Sequence, residues 1–283
     1  MNRLQTSIEL AKASWQVLRQ EKQMLLLPLL SMVASLVTIG LFAAGAFATA
    51  TRSAGDTQMS IAGWVLSAIG YCVLAIVTVY FNAALVSAAN ERLAGGDPTF
   101  DSALAGANRH LPQIIGWGLI SATVSMVLRQ IQENAGLLGK LVAGIAGIAW
   151  SLVTYLVLPV LVIEGVSVRQ SITRSRELFS RTWGERVVGS AGIGLIGFLA
   201  MLPALAVVIL AGATGVDAVI IGAIVLALVW VVGVMCVTTA MSMIFQTALY
   251  RYAALGQVPV GFDATVMTNA FRPRRGARAM PTG

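Results

Sequence analysis

The chain has 283 residues, of which 57% are apolar and 11% are charged, and its mean hydropathy is +0.82. An average soluble domain has about 25% charged residues, so this composition excludes an ordinary soluble fold and predicts that lipid surrounds most of the chain. The net charge of +7 could suggest a nucleic-acid partner. In a membrane chain it is better explained by topology signals and contacts with membrane lipids, and we expect no nucleic acid.

Residues 1–22 predict an amphipathic helix that precedes the first span. Apolar residues recur at helical spacing, and polar residues occupy the other faces. The pattern favours a helix on the inner leaflet, with Trp15 and Arg19 among the lipid headgroups. Simple packing on the end of the bundle is the alternative, and the two arrangements are compatible. The apolar positions are Leu4, Ile8, Ala11, Trp15 and Leu18.

Long apolar runs predict an all-α integral membrane protein, with one membrane domain over residues 1–283. About 20 apolar residues cross the ~30 Å hydrocarbon layer, and six runs have this character. The third run has Arg129 near its end, where a long basic side chain can reach the headgroups. The predicted spans cover residues 24–50, 61–89, 113–132, 138–163, 187–212 and 218–249.

The basic residues indicate the orientation of these spans. If the N terminus is cytoplasmic, 16 of the 19 Lys and Arg residues fall in cytoplasmic segments, and only Arg52, Arg129 and Lys140 fall outside. Cytoplasmic loops of membrane proteins are enriched in Lys and Arg. The split therefore predicts an even number of spans, a cytoplasmic (inner) membrane location and two cytoplasmic termini. Residues 266–283 are expected to form a basic cytoplasmic tail.

Two cytoplasmic loops are predicted to contain helices. After the second span, Asp97 suits a helix N-cap and Pro98 the first helical position. After the fourth span, arginines that include Arg174 and Arg181 flank an apolar stripe, which predicts a second amphipathic helix in contact with headgroups. The stripe consists of Val168, Ile172, Ser175, Phe179 and Trp183.

Glu164 is the acidic residue nearest to a span, at the cytoplasmic end of the fourth. We interpret it as one member of an interfacial ion pair, for which Arg169 and the other arginines of the basic loop are the candidate partners. A proton or cation site is the alternative. Proton relays and ion-coupled carriers generally keep an acidic residue well inside a span, and none is found there in this sequence.

Three short segments recur at offsets of 161 to 164 residues. Residues 14–18 resemble 175–179, residues 81–85 resemble 245–249, and residues 100–101 resemble 262–263. The pattern predicts a parallel internal repeat, with copies at 24–112 and 166–265 flanking a central pair of spans at 113–165. Chance similarity between segments rich in Ala and Leu is the alternative.

The repeat places polar side chains at equivalent positions of the second and sixth spans. Polar side chains in a bilayer seek partners, so both faces are expected to point into the bundle. Interhelical hydrogen bonding is the simpler interpretation, and a polar lining for a cavity or substrate path is the alternative. The residues are Tyr71, Thr78 and Asn82, and Thr238, Ser242 and Gln246.

Sequence signatures of enzymes are weak in this chain. Gly192, Gly194 and Gly197 match G-x-G-x-x-G, but the dinucleotide fingerprint needs a preceding strand. We interpret these glycines as a face for close helix packing, and Ala143, Gly144 and Gly147 as a similar face on the fourth span. One histidine and two cysteines do not predict a metal site or a disulfide framework. We expect no enzymatic activity, no catalytic residue, no cofactor and no metal.

Residues 159–165 and 171–179 together resemble a loose group of uncharacterised prokaryotic multi-pass proteins, filed as domains of unknown function. The group includes relatives of the membrane domain attached to some glycerophosphodiester phosphodiesterases. Its members have a span, an amphipathic helix rich in Arg and Ser, and another span, and residues 14–15 and 27–29 fit the same pattern. The resemblance implies a multi-pass fold. It implies no activity, because the soluble phosphodiesterase domain is absent.

Two hypotheses of function follow from the sequence. The first is a transport or channel-like protein for a small or lipidic molecule, which passes between the two repeats. The second is a non-catalytic scaffold or accessory subunit, as a homo-oligomer or with a membrane-protein partner. An enzyme acting on lipid substrates is a weaker third hypothesis.

Overall fold

A computed structural model describes residues 3–53, 56–134, 136–183 and 189–262. These ranges contain ten α-helices, one short 3-10 helix and a two-stranded antiparallel ribbon in which Arg52 pairs with Thr57. The predicted basic tail lies outside the described residues. In chain order the elements are α1 (Arg3–Gln20), the 3-10 helix (Lys22–Leu25), α2 (Leu26–Ala48), β1 (Thr51–Ser53), β2 (Asp56–Gln58), α3 (Ile61–Leu93), α4 (Phe100–Asn108), α5 (Leu111–Asn134), α6 (Leu137–Val153), α7 (Val157–Glu164), α8 (Val168–Trp183), α9 (Gly189–Gly212) and α10 (Asp217–Leu255).

Five described segments are long and apolar enough to cross a membrane, so an all-helical fold with several candidate spans is confirmed. They match five of the six predicted spans, and α6 and α7 together form one of them. The remaining predicted span, residues 187–212, corresponds to α9. The apolar part of α9, Ile196–Gly212, is shorter than the ~20 residues of a typical span. The five segments are Gln23–Ala48, Ile61–Leu93, Leu111–Asn134, Leu138–Glu164 and Asp217–Leu255.

The start of α4 differs from the prediction. Thr99, and not Asp97, is the N-cap, and its hydroxyl and that of Ser102 form a reciprocal capping box with the backbone. Asp97 lies before the helix and accepts a hydrogen bond from Nη1 of Arg92 at 2.8 Å. The cap prediction was wrong because Thr99 offers an equally good capping hydroxyl two residues later, while Asp97 has a basic partner.

The helices form three hairpins, and one short helix packs on each of them. α2 packs on α3, α5 on α6, and α9 on α10, while α3, α7 and α10 contact one another in the centre. The short helix α4 packs on α3, and α8 packs on α7 and α6. α1 packs on α9 and α10, the last hairpin, although the chain connects it directly to the first.

The buried core lies at one end of the bundle, which we call the basal end because α1, α4 and α8 lie there. The C-terminal parts of α3, α7 and α10 provide side chains that are fully buried. Towards the opposite, distal end, α2, α3, α9 and α10 expose large apolar side chains, as a surface in contact with lipid would. Examples of the buried residues are Ala84, Leu85, Val157, Leu161, Ile244 and Leu249.

The glycines predicted to allow close helix packing differ in whether another helix packs against them. A Cβ added to Gly197 would lie 2.7 Å from Cγ2 of Thr238, so this glycine brings α9 and α10 together as predicted. Gly144 and Gly194 have nothing within 4 Å, and Gly147 has only Cδ1 of Leu128 at 3.9 Å. Of the small residues predicted to make a close contact on α6, Ala143 is buried, whereas the two glycines are not closely covered.

Candidate functional site: an apolar groove between α1, α9 and α10

An apolar groove lies at the junction of α1, α9 and α10. Its volume is about 680 Å³, within the ~300–1,000 Å³ of typical small-molecule sites. α9 and α10 provide apolar walls, from Ile193 to Ala200 and from Leu226 to Met241. α1 provides the remaining wall with Ala11, Lys12 and Trp15.

The groove is elongated along α10. Leu226 and Met241 both line it, and at 1.5 Å per residue they are about 22 Å apart along the helix axis. Half of a ~30 Å hydrocarbon layer is about 15 Å deep. The groove therefore has the length and the apolar character that suit a single acyl chain.

The groove between α9 and α10 is lined in part by small residues, and a proline lies further along α9. Gly233 lines the groove, and an added Cβ there would meet nothing within 4 Å. Pro203 lies inside α9 and cannot donate the amide hydrogen bond that a helix makes to the carbonyl of residue 199. Nearby, the Trp230 indole donates to the carbonyl oxygen of Ala200 at 2.7 Å, which fixes the indole in the groove wall.

α1 presents a polar face beside the groove and buries the opposite face. Lys12 and Trp15 line the groove and are exposed, and Arg19 is exposed further along the helix. Of the predicted apolar stripe, Ala11 and Leu18 are buried, whereas Trp15 is 42% exposed. The side chains of residues 4 and 8 lie outside the described residues. The remaining residues of the buried face are Leu10, Ser14 and Val17.

The predicted polar faces of α3 and α10 are not gathered around a shared cavity. Thr238 lines the apolar groove, while the other five residues line neither of the two cavities described here. The Thr78 and Thr238 hydroxyls donate to carbonyls of their own helices, those of Leu74 and Val234. Tyr71 and Thr78 are exposed, and Asn82, Ser242 and Gln246 are half-buried.

Glu164 lies in a smaller polar cavity of about 360 Å³ between the end of α7 and α8. Its Oε1 accepts a hydrogen bond from the buried Tyr250 hydroxyl at 2.8 Å and one from Nε of Arg174 at 3.5 Å. Arg169 lines the same cavity, but the described ion pair of Glu164 is with Arg174 and not with the predicted Arg169. The pairing differs because α8 runs back past α7, after a turn at Gly165 with φ +66°. This brings the second turn of α8 to the carboxylate.

α8 attaches to the bundle through the hydroxyl group of Ser175. The Ser175 hydroxyl donates to the carbonyl of Val153 at 2.6 Å and accepts from the amide of Leu156 at 3.1 Å. It thereby satisfies two backbone groups at the break between α6 and α7. Ser171 is also fully buried. Val168, Ile172 and Phe179 of the predicted stripe are half-buried, and the side chains of residues 181 and 183 lie outside the described residues.

Two arginines at the basal end connect distant parts of the chain, and the sequence analysis did not identify them as a site. Arg251 donates from Nη1 to Oδ1 of Asn90 at 2.7 Å, across 161 positions of sequence. Arg92 donates from Nη2 to Oε1 of Gln20 at 2.8 Å and pairs with Glu21 at 3.3 Å. No local pattern signals such contacts, because the partners of these hydrogen bonds lie 161 positions apart for Arg251 and 72 positions apart for Arg92.

Comparison with known proteins places the chain in a family. No curated protein matches it. The model of a family of unknown function, DUF6159, matches residues 61–261, from the first residue of α3 to just beyond α10. The matched region includes the α9 and α10 walls of the groove, and α1 precedes it. Because the match covers more than two thirds of the chain, the protein belongs to the DUF6159 family, a family of unknown function.

Proposed function

We propose that this protein is a non-catalytic integral membrane protein that binds one lipidic molecule in the groove between α1, α9 and α10 and transports it or presents it at the membrane surface. The observation that carries the proposal is the groove itself. It is long and almost entirely apolar, and one end has an ammonium and an indole group. A site with these properties fits an amphiphile rather than a polar solute.

For the membrane topology we propose six spans, with α9 as the fifth and with both termini in the cytoplasm. Support comes from the distribution of basic residues and from the 24 residues of α9, which would extend about 36 Å. In this topology the protein lies in the inner membrane, and its basal end faces the cytoplasm. α1 and α8 then lie as amphipathic helices in the headgroup region.

The packing favours a modification of the two-copy repeat. We propose three units of one design, each with a short helix followed by a hairpin: α1 with α2–α3, α4 with α5–α7, and α8 with α9–α10. Each short helix packs on the hairpin of another unit. α4 packs on the hairpin of the first unit, α8 on that of the second, and α1 on that of the third. α4 fits closely, because Gly106 lies against Ser87, and α8 is attached through Ser175. α1 borders the large apolar groove described above.

The groove also changes where we expect a transported molecule to bind. The two polar faces predicted to line a path between the repeats are partly exposed, and Thr78 and Thr238 bond to their own helices. We therefore assign these faces to helix stability, and the lipidic ligand to the groove. The resemblance to the membrane domain of some glycerophosphodiester phosphodiesterases remains a prediction, and we transfer no activity from it.

The groove can be tested by filling it. Gly233→Leu would project a side chain into the space that the ligand needs, whereas Gly222→Leu, on the same helix outside the groove, would not. Native mass spectrometry of protein purified in mild detergent should detect one retained lipid in the wild type and in Gly222→Leu. Gly233→Leu should lose most of it. Equal lipid retention by the two variants would rule out the groove as the binding site.

A second candidate function, a scaffold or accessory subunit, is supported by uncovered glycines. Gly40, Gly144 and Gly222 have nothing within 4 Å, and small residues allow close approach between helices of separate chains. Cross-linking in native membranes checks this function. A defined dimer or heteromer that disappears in Gly144→Leu would support it, whereas a monomer in all variants would contradict it.

A further inference from the structure

We infer that the ligand of the groove is an anionic phospholipid from the cytoplasmic leaflet, with its phosphate group on Lys12 of α1 and one acyl chain along α10. This inference rests on the proposed function, and it names the class of lipid.

Lys12 supplies the charge of the groove. Among the described residues that line it, Lys12 is the one charged side chain, and none of the described ion pairs involves it. Glu9, one turn earlier in α1, does not line the groove. An ammonium group that projects next to an apolar wall without a carboxylate partner attracts an anion. It would repel the amine of a zwitterionic lipid.

The chemical groups along the groove follow the order of groups in a phospholipid. The apolar stretch from Leu226 to Met241 lies along α10, and Trp15 and Lys12 stand at the α1 end. Tryptophan prefers the level of the headgroups. There its ring contacts the acyl chains, and its N–H group contacts the polar layer. An acyl chain in the apolar part would therefore place a glycerol near Trp15 and a phosphate near Lys12.

The exposed face of α1 strengthens this preference for an anion. Arg19 is exposed seven residues after Lys12, hence about 10 Å further along the same side of the helix. Basic residues close to a bilayer each favour anionic lipid by about fivefold in affinity. A phospholipid fits better than a soluble phosphate, because most of the groove has no polar group with which to bind a solute.

The test compares lipids that differ only in headgroup. Full-length protein in detergent is titrated with phosphatidylglycerol and phosphatidylcholine of identical chains, and the bound fraction is measured by native mass spectrometry. We expect the wild type to prefer phosphatidylglycerol by about fivefold or more. Lys12→Gln should remove that preference, and Lys12→Arg should retain it. Lys140→Gln, a matched change on α6 away from the groove, should also retain it.

The outcomes separate this inference from the proposed function. Equal affinity of the wild type for both lipids would overturn the anionic assignment, as would an unchanged preference in Lys12→Gln. If oleate displaces phosphatidylglycerol at equal concentration, the site binds a carboxylate amphiphile and the phospholipid assignment is wrong. In each of these cases Gly233→Leu should still abolish binding of every lipid. If Gly233→Leu binds like the wild type, the proposed function itself fails.

Discussion

Ser14 and Ser175 occupy matched positions in the repeat that the sequence predicts, but their hydrogen bonds differ. Ser14 donates to the carbonyl of Leu10 in its own helix at 3.0 Å. Ser175 connects α8 to the backbone of Val153 and Leu156. Both serines are fully buried, so burial alone does not distinguish their roles.

We predict that Ser175→Ala destabilises the protein by about 1–3 kcal/mol, because a buried amide and a half-buried carbonyl lose their partner. Ser14→Ala should change stability by less than about 0.5 kcal/mol, since alanine restores helix propensity and no other group loses a bond. Equilibrium unfolding of both variants in mixed detergent micelles measures the difference. Equal losses of stability would contradict the structural role of Ser175.

Tyr250 fixes Glu164 at the basal end, and we predict that Tyr250→Phe lowers the unfolding free energy by about 1.5–3 kcal/mol. The tyrosine is 1% exposed, and its hydroxyl donates to the carboxylate at 2.8 Å. Bonds to charged groups have this magnitude. Tyr71→Phe, at an exposed position of α3, is the control and should leave the thermal midpoint unchanged. A midpoint for Tyr250→Phe within error of the control would show that the bond contributes nothing.

Sequence reasoning identified the groups around Glu164 but not their pairing. An acidic residue beside an arginine-rich helix predicts an interfacial ion pair, and the structure contains one. The partner is Arg174 rather than Arg169, and Tyr250 is added from 86 positions away. Which arginine reaches the carboxylate depends on the turn at Gly165 and on how α8 packs on α7, and neither can be read from residue spacing.

At the scale of helices, contacts between glycine and backbone control how closely two spans approach. A Cβ on Gly118 of α5 would lie 2.9 Å from Cγ1 and 3.0 Å from Cα of Ile76 on α3. A backbone atom cannot move without displacing its helix. By contrast, a Cβ added to Gly144 of α6 would meet nothing within 4 Å.

We predict that Gly118→Ala destabilises the bundle by about 1–3 kcal/mol through overpacking. Gly144→Ala should be neutral or stabilising by up to about 1 kcal/mol, because alanine is the better helix former. Thermal unfolding in detergent compares the two variants directly. A tolerated Gly118→Ala would mean that α3 and α5 are further apart than described.

For whole helices, local patterns predicted the elements better than their contacts. Hydropathy identified five of the candidate spans, and helical spacing indicated helices at α1 and α8. The groove could not be predicted, because it forms where α1 meets α9 and α10, and no sequence pattern says that the first helix packs on the last hairpin. The closed fit of α4, with Gly106 against Ser87, likewise depends on a contact between separate elements.

At the scale of the whole molecule, the proposed topology places the two ends of α9 on opposite sides of the membrane. We predict that a cysteine introduced at Thr214 reacts with an impermeant maleimide in intact spheroplasts, whereas one at Glu177 reacts only after permeabilisation. Both positions are exposed. The parent for labelling carries Cys72→Ala and Cys236→Ala, which remove the two native thiols. Labelling of Glu177→Cys without permeabilisation would rule out six spans with this orientation.

The packing of α1 on α9 and α10 has a consequence for the order of events during biosynthesis. Translation delivers α1 more than two hundred residues before α10 is complete, which at ~5–20 residues per second is a delay on the order of ten to fifty seconds. During this time α1 lacks its native neighbours, and the membrane surface is the natural place for its apolar side. The groove therefore forms only after α10 has been synthesised, so a chain that still lacks α10 has no ligand site.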